Sequence, residues 1–402
     1  MAGVAFSVDR DVASSGGSNI IWIVKLDKIG DIEWEKSLGR STEDSVNSIK
    51  QTEDDGFILA GGSILSSEDV SVNYKGMDAW VVKLDSRGDI EWEKFLGGSN
   101  GDVAHSIEQT RDGGFIMAGY SGSSDGDVSL NQGNLDYWVV KLDNTGQIVW
   151  DRSLGGTFSD IANSISQTKD GGFIVAGNVR VSIEDAPLED GSTDALIIKL
   201  DEKGIIEWEK TLGGTFADSA NCIRQTKDGG FIVAGSMSSS DEDISENSGL
   251  EDFWIIKLDN EGEVDWETTL GGGSSDFARS VVQTEDEGFV VVGVTLSADG
   301  DVSQNYGSGD AWIVKLNKKG SIEWEKSIGR SGWDLVESIE HTKDGGFILA
   351  GASVSADKDN TSTRSTFDFW IVKLGPENIS ANVFRHTVNI HNLLCFKNDV
   401  VN

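Results

Sequence analysis

Residues 154–177 carry the pattern that decides the fold, L-G-G-T-F-S-D-I-A-N-S-I-S-Q-T-K-D-G-G-F-I-V-A-G. The continuation of this pattern is clearest at residues 78–88, which read D-A-W-V-V-K-L-D-S-R-G. The whole unit returns every 58 residues, as its first tryptophan position shows: Trp22, Trp80, Trp138, Leu196, Trp254, Trp312 and Trp370. A fixed period of this length indicates a repeat architecture, in which neighbouring units stack to bury a continuous core.

Each unit contains four short strand-like runs. In one unit we predict strands at Ala104–Thr110, Gly114–Tyr120, Asp136–Asp143 and Gln147–Leu154. The second and third runs are apolar on both faces, as strands between stacked sheets must be, whereas the fourth carries charge on one face, as an outer edge strand would. We therefore predict an all-β fold, a β-propeller of four-stranded antiparallel blades with a 58-residue repeat.

The number of blades depends on the two ends of the chain. Six periods occupy 348 of the 402 residues, and the remaining 54 are divided between the termini. We expect residues 1–374 to form one propeller, with Met1–Val4 joining Trp370–Leu374 in a shared seventh blade that closes the ring. The alternative has six blades, with Trp370–Leu374 and the tail as an appendage. Residues 375–402 match no repeat and form a C-terminal tail.

Composition limits the possible partners. The chain has 33 basic and 68 acidic residues, a net charge of −35, so we expect no nucleic acid or anionic membrane surface as partner. No apolar run is long enough to span a bilayer. Two cysteines form neither a disulfide framework nor a four-thiolate zinc site.

The repeat resembles a family of seven-bladed β-propellers found mostly in bacterial and archaeal secreted or cell-surface proteins. The resemblance is carried by the motifs quoted above and covers about residues 1–374. It implies a propeller fold and an extracellular or cell-envelope location, and it implies no reaction. Residues 1–6 show no signal peptide, so we expect the chain to be part of something longer.

A weaker likeness, at Leu142–Gly146 and Trp150, is to the tryptophan-docking repeats of quinoprotein dehydrogenases. It implies that the tryptophans pack between blades, and it carries over no quinone chemistry. Sugar-binding platforms are the alternative role for these rings.

One aspartate recurs in the Gly-Gly-led connection just before each strand that we take as innermost. This series consists of Asp44, Asp102, Asp160, Asp218, Asp276 and Asp334. A hydrogen bond from each side chain to the nearby backbone is one interpretation. The other is a ring of carboxylates at one mouth of the channel, where crowding would raise their pKa values or recruit a cation.

Two long connections alternate carboxylates around a glycine, with Asp125 and Asp127 in one and Asp299 and Asp301 in the other. Calcium prefers oxygen ligands from such loops, so these four residues are candidate metal ligands and calcium is the candidate cofactor. A solvated turn is the alternative.

Catalytic residue sets are not evident. His105, His341 and Cys222 occupy positions held by polar or small residues in other repeats, and no carboxylate pair stands out as a glycosidase would require. We therefore expect a non-catalytic propeller, with a glycoside hydrolase-like enzyme as the minority interpretation.

The leading functional hypothesis is an extracellular, monomeric binding or scaffolding module. Its partner, a protein or surface polymer, would dock on the acidic long connections, which vary most between repeats. A carbohydrate-binding or carbohydrate-active propeller is one alternative. A calcium-loaded repeat of a surface layer is the other.

Overall fold

The computed structural model describes residues 2–5, 20–27, 30–39, 43–64, 76–181, 192–240, 249–355 and 366–375. The regular elements of these segments are 26 antiparallel strands in seven sheets. Within them we find no helix with the length and apolar character needed to cross a membrane.

Three sheets come first along the chain, numbered in chain order. Sheet 1 contains β1 (Ala2–Ala5), β2 (Ile20–Leu26) and β3 (Ile32–Leu38). Sheet 2 contains β4 (Ser45–Gln51), β5 (Phe57–Ser63), β6 (Asp78–Leu84) and β7 (Ile90–Leu96). Sheet 3 contains β8 (Asp102–Gln109), β9 (Phe115–Ser121), β10 (Asp136–Leu142) and β11 (Ile148–Leu154).

Four further sheets continue the same meander. Sheet 4 contains β12 (Asp160–Gln167), β13 (Phe173–Arg180), β14 (Thr193–Leu200) and β15 (Ile206–Leu212). Sheet 5 contains β16 (Asp218–Gln225), β17 (Phe231–Met237), β18 (Asp252–Leu258) and β19 (Val264–Leu270). Sheet 6 contains β20 (Asp276–Gln283), β21 (Phe289–Thr295), β22 (Asp310–Leu316) and β23 (Ile322–Ile328). Sheet 7 contains β24 (Asp334–His341), β25 (Phe347–Ser355) and β26 (Thr366–Leu374).

The four-strand unit predicted from the repeat is confirmed, and the predicted bounds lie within two residues of the observed ones. Local chemistry explains the meander. At the turn after β10, Gly146 has a φ of +77° and its N–H donates to the carbonyl of Asp143 at 3.1 Å. Glycine adopts this left-handed conformation without the Cβ clash that other residues suffer.

The preferred count of seven four-stranded blades is wrong. Among the described residues, five sheets have four strands, while sheets 1 and 7 have three each. In the part of the chain that the structure describes, sheet 1 has no innermost strand, and the strands lining the channel are β4, β8, β12, β16, β20 and β24. Counted by these channel-lining strands, the ring has six blades, which is the alternative count.

The predicted shared blade is also wrong. Strand β1 pairs with β2, with Gly3 opposite Trp22, in the same register that places Gly61 opposite Trp80. Pairing with the next strand along the chain closes a short loop, which costs less entropy than pairing with a strand about 370 residues away. Trp370–Leu374 is not an appendage either, because it belongs to β26 and pairs with β25. The tail from residue 376 onward lies outside the described residues.

Apolar side chains fill the spaces between neighbouring sheets. Ile58 of sheet 2, for example, belongs to the same buried cluster as Phe115 and Trp138 of sheet 3. The second tryptophan of each unit reaches onto the next sheet: Trp34 donates its indole N–H to the carbonyl of Ser86 at 3.1 Å, and its ring lies against Gly88. The prediction that the tryptophans pack between blades is therefore confirmed.

Candidate functional site

The ring has two unlike faces. One carries the short hairpins, and the other, which we call the long-loop face, carries the two longer kinds of connection. Its described connections are residues 39, 43–44, 64, 76–77, 97–101, 122–135, 155–159, 181, 192, 213–217, 238–240, 249–251, 271–275, 296–309 and 329–333. These segments contain one basic residue, Arg330. The described hairpin turns contain twenty acidic residues together with eight basic ones, which are Arg87, Arg111, Lys169, Lys203, Lys227, Lys318, Lys319 and Lys343.

The recurring aspartates are buried at the base of the long-loop face. Asp102 accepts a hydrogen bond from the backbone N–H of Gly98 at 2.8 Å and another from the Ser123 hydroxyl at 2.8 Å. Asp160 and Asp276 accept the equivalent backbone bonds from Gly156 and Gly272. The structure thus places these carboxylates in separate junctions between sheets, where each fastens the connection that leads to its inner strand.

The candidate calcium ligands lie on the long-loop face as well. Asp125 accepts a hydrogen bond from the backbone N–H of Ser99 at 2.8 Å, and Asp127 accepts one from that of Gly97 at 3.2 Å. Asp299 and Asp301 make the corresponding bonds to Gly273 and Gly271. Each Asp-Gly-Asp loop is therefore tied to the connection that precedes its own sheet. Within the described segments, no three His, Cys, Asp or Glu side chains are grouped so as to hold a metal ion.

A second aspartate series was missed as a candidate, although it stands in the repeat two residues before the first tryptophan position. It consists of Asp78, Asp136, Asp194, Asp252, Asp310 and Asp368. At Gly97, Gly213 and Gly271, a glycine lies between a member of this series and a member of the first. Burial, together with the nearby carboxylates of Asp102 and Asp127, raises the pKa of Asp78 to about 7. Burial and Asp218 raise the pKa of Asp194 to about 6.

Burial and a neighbouring carboxylate favour the protonated form of one acid in each pair. Asp78 is 2 % exposed, and its Oδ1 accepts no hydrogen bond from the described residues. Two buried carboxylates that face each other cannot both ionise without a large electrostatic cost. The same arrangement recurs at Asp136 and Asp310, whose pKa values are likewise raised by burial.

The channel holds a group of charged residues that the sequence interpretation also missed. Glu340 accepts hydrogen bonds from Lys50 at 2.5 Å and from Arg224 at 2.8 and 3.1 Å. Burial alone would raise the pKa of Glu340, but Arg224 and Lys50 outweigh burial and lower it to about 2. Glu108, near both cations, has a raised pKa because burial dominates.

A signal in the sequence could have revealed this group. Its members occupy one position of the repeat, which holds Lys50, Glu108, Ser166, Arg224, Val282 and Glu340. Neighbouring positions barely change from unit to unit, so a position that holds five different residue types, some positively charged, some negatively charged and some uncharged, is not determined by the repeat.

His105 and Cys222 take the structural places that polar or small residues hold at the same positions of other repeats. Nδ1 of His105 lies 3.0 Å from the carbonyl oxygen of Ala162, where the side chains of Asn47 and Asn163 donate to equivalent carbonyls at 2.9 Å. Cys222 is buried on an inner strand. His386, His391 and Cys395 lie outside the described residues.

Comparisons with known proteins support the fold. No family model matches the chain. The regulatory protein FlaEY of Caulobacter vibrioides is 27% identical over 151 residues, a match that covers 35% of this chain and 16% of FlaEY.

Among solved structures, puromycin hydrolase aligns with a TM-score of 0.51 and 12% identity, covering 96% of this chain and 54% of the hydrolase. A puromycin hydrolase mutant in complex with PGG aligns with a TM-score of 0.50 and 12% identity, covering 93% of this chain and 52% of that chain.

One expectation requires correction in the light of these structures. We expected a protein without catalytic activity, but puromycin hydrolase, an enzyme, shares the propeller fold over about half of its chain. The fold therefore gives no ground for excluding catalysis. At 12% identity the likeness concerns the fold alone, and it assigns no reaction to this chain.

Proposed function

We propose that this propeller is a binding module that uses its long-loop face to hold a cationic partner. The observation that carries the proposal is the near absence of basic residues from the described long-loop connections, whereas the hairpin turns mix basic and acidic residues. The described long-loop connections contain Arg330 as their one basic residue, against Glu43, Asp44, Asp125, Asp127, Glu251, Asp299 and Asp301. With a net charge of −35 behind it, this face attracts cations over a distance set by the ionic strength.

The scaffold supports this use because it presents the loops rigidly. The backbone N–H of Asp127 donates to the carbonyl of Gly97 at 2.8 Å, and Val128 inserts into the core between sheets 2 and 3. Asp301 and Val302 repeat both contacts in sheet 6. Loops held in this way lose little conformational entropy when a partner binds.

The proposal has two further parts. We place the module outside the cell or in the cell envelope because its repeat resembles secreted propellers, and fractionation of the producing cells tests this location. We take it to act as a monomer, which sedimentation at micromolar concentration tests.

The test of the binding face uses immobilised decalysine as the probe. The face variant carries Asp125→Asn, Asp299→Asn and Asp301→Asn, which keep a side-chain oxygen for the backbone bonds while removing three charges. The control variant carries Glu53→Gln, Glu202→Gln and Glu261→Gln, which remove three exposed charges from the hairpin face. We expect the face variant to bind at least about threefold more weakly than the control, because local charge matters more than distant charge.

Salt provides the second measurement. Binding of decalysine should weaken steadily between 50 and 500 mM salt, because screening shortens the reach of the field. If the face variant and the control variant weaken decalysine binding equally, the binding surface lies elsewhere on the protein. Capture of neutral oligosaccharides on a glycan array, with an affinity independent of salt, would favour the carbohydrate-binding hypothesis instead.

A further inference from the structure

Four large apolar side chains are exposed on one part of the long-loop face. They are Phe216, Leu250, Tyr306 and Trp333, with exposed fractions of 58, 71, 49 and 40%. None of them is required by the repeat. The positions equivalent to Trp333 hold Ser275 and Ala217, and the position equivalent to Leu250 in the next unit holds Ser308. These four side chains can therefore serve a role other than folding.

These residues occupy three consecutive junctions. The backbone N–H of Phe216 donates to the hydroxyl of Ser239 at 3.0 Å, at the connection from sheet 4 to sheet 5. Leu250 follows Gly249, which packs on the carbonyls of Gly272 and Ser274 at the next junction. Tyr306 and Trp333 belong to the junction between sheets 6 and 7. The four side chains thus follow one another around the ring.

The last junction is built tightly enough to hold its two aromatic rings in place. Ser308 donates its N–H to the carbonyl of Gly332 at 3.0 Å, and Asp334 donates its N–H to that of Gly309 at 2.8 Å. The Trp333 ring lies over Gly309, where any larger residue would collide with it. Tyr306 donates its hydroxyl to Gln304 at 2.8 Å.

We propose that these four residues form a docking arc for a polypeptide segment that carries both lysine or arginine and apolar side chains. The inference rests on the proposed function and adds the kind of partner. Asp299 and Asp301 lie in the same connection as Tyr306, so a purely apolar segment would leave their charges without a cationic counterpart. A purely cationic segment would leave the exposed rings in water. Aromatic residues in such positions commonly supply much of the binding energy of an interface.

Exposed apolar residues on the outer rim serve as the matched comparison. Ile90 and Val264 occupy the same repeat position, at the start of the outer strand, and Val149 and Ile205 lie beside this position in other units. A control variant with Ile90→Ser, Val149→Ser, Ile205→Ser and Val264→Ser removes as many exposed apolar side chains as the arc variant. The arc variant carries Phe216→Ser, Leu250→Ser, Tyr306→Ser and Trp333→Ser.

The probes are two synthetic peptides of equal charge, one alternating lysine with leucine and one alternating lysine with serine. By calorimetry, the unmodified protein should bind the lysine–leucine peptide at least about tenfold more tightly. The arc variant should lose that advantage and bind the lysine–serine peptide within about twofold of the unmodified protein. The rim control should behave as the unmodified protein does.

The outcomes separate the two proposals. If neither peptide binds, the proposed function fails. If both bind equally and the arc variant changes neither affinity, the charged face stands and the docking arc is overturned. Should the arc variant fold poorly, Leu250→Ser and Trp333→Ser are tested singly, and unchanged binding of the lysine–leucine peptide to both would overturn the arc.

Discussion

Lys50, on the first channel-lining strand, donates a hydrogen bond to Glu340, on the last, over 2.5 Å. Arg224, on β16, donates two hydrogen bonds to the same carboxylate. Strand β16 lies two channel-lining strands before the strand of Glu340. Farther from the axis, Trp22 of sheet 1 packs on Phe369 of sheet 7 with ring centroids 5.5 Å apart. Within the described chain, the ends of the repeat array therefore meet through side chains and not through a shared blade.

The first prediction concerns this contact. Glu340→Gln should lower the free energy of unfolding by about 1 kcal/mol, since the three side chains remain partly exposed. The pKa of Glu340 is lowered in the folded state, so its contribution is present above pH 4.5 and lost as the pH falls towards 2. Denaturant titrations at several pH values should show the difference between the two proteins shrinking over that interval.

Glu337→Gln is the control for Glu340→Gln. Glu337 is exposed on the same strand, and its oxygen lies 3.8 Å from Nε of Arg279. This substitution should change stability by a few tenths of a kcal/mol or less. An equal effect of the two substitutions would show that the contact between Lys50, Arg224 and Glu340 has no special role in closing the ring.

A glycine pair tests the packing between sheets. Gly146 and Gly113 have φ values of +77° and +81°, so alanine strains both backbones alike. A Cβ at Gly146 would lie 2.8 Å from the Trp92 ring, whereas one at Gly113 meets nothing within 4 Å. Gly146→Ala should therefore cost about 1–3 kcal/mol more than Gly113→Ala. Equal melting temperatures would mean that the tryptophan moves aside freely.

The buried aspartate pairs should make stability depend on pH. The pKa of Asp78 is raised from 3.8 in the unfolded chain to about 7 in the fold, so the stability it gives by binding a proton is lost as the pH rises between these values. Because Asp78→Asn has no carboxyl group to ionise, its stability should not fall over this pH range. We expect it to stabilise the protein above pH 7 by on the order of 2 kcal/mol. Thermal melts at pH 5 and pH 8 measure the effect.

Asp85→Asn is the control for the pH experiment, because the pKa of Asp85 is shifted in the opposite direction to that of Asp78. Asp85 is partly exposed, and its pKa is lowered by the backbone N–H of Asp89 and by Arg87. Its substitution should be neutral or destabilising at pH 8. If Asp78→Asn also destabilises the protein at pH 8, the Asp78 side chain stabilises the fold by some means other than binding a proton.

Calcium at the Asp-Gly-Asp loops stays a prediction. Calcium at about 100 times its dissociation constant would add about 2.7 kcal/mol for each independent site. A chelator should then lower the melting temperature, and Asp127→Asn with Asp301→Asn should remove the difference between calcium and chelator. An unchanged melting temperature would leave these loops as hydrogen-bonded turns.

The repeat allowed the strands, their order and their inter-sheet tryptophans to be predicted, because identical units impose the same local pairing each time. The ends were predicted wrongly for another reason. Residues 2–5 match a second strand of the repeat, and the repeat register pairs such a strand with the next one along the chain, here Ile20–Leu26. The shared blade was inferred from the need to close the ring, which the period does not describe and which the structure meets with side-chain contacts between sheets 1 and 7.

The candidate site was predicted only in part. The Asp102 series was found because it recurs, and one of its two interpretations described the backbone bonds that the structure contains. Lys50, Arg224 and Glu340 were missed because they do not recur. Their contact depends on three strands far apart in sequence meeting at one axis, and this geometry cannot be derived from a 58-residue period.

The polar bonds between sheets span almost one period. Asn47 reaches the carbonyl of Ala104, 57 residues ahead, and the backbone N–H of Glu53 reaches the side chain of Gln109, 56 residues ahead. Every unit therefore carries both halves of its own junction. A duplication of 58 residues within the gene would add a unit that already fits its neighbours on either side. Selection for ring size would then act on the few residues that meet across the closure, while the number of copies was free to change.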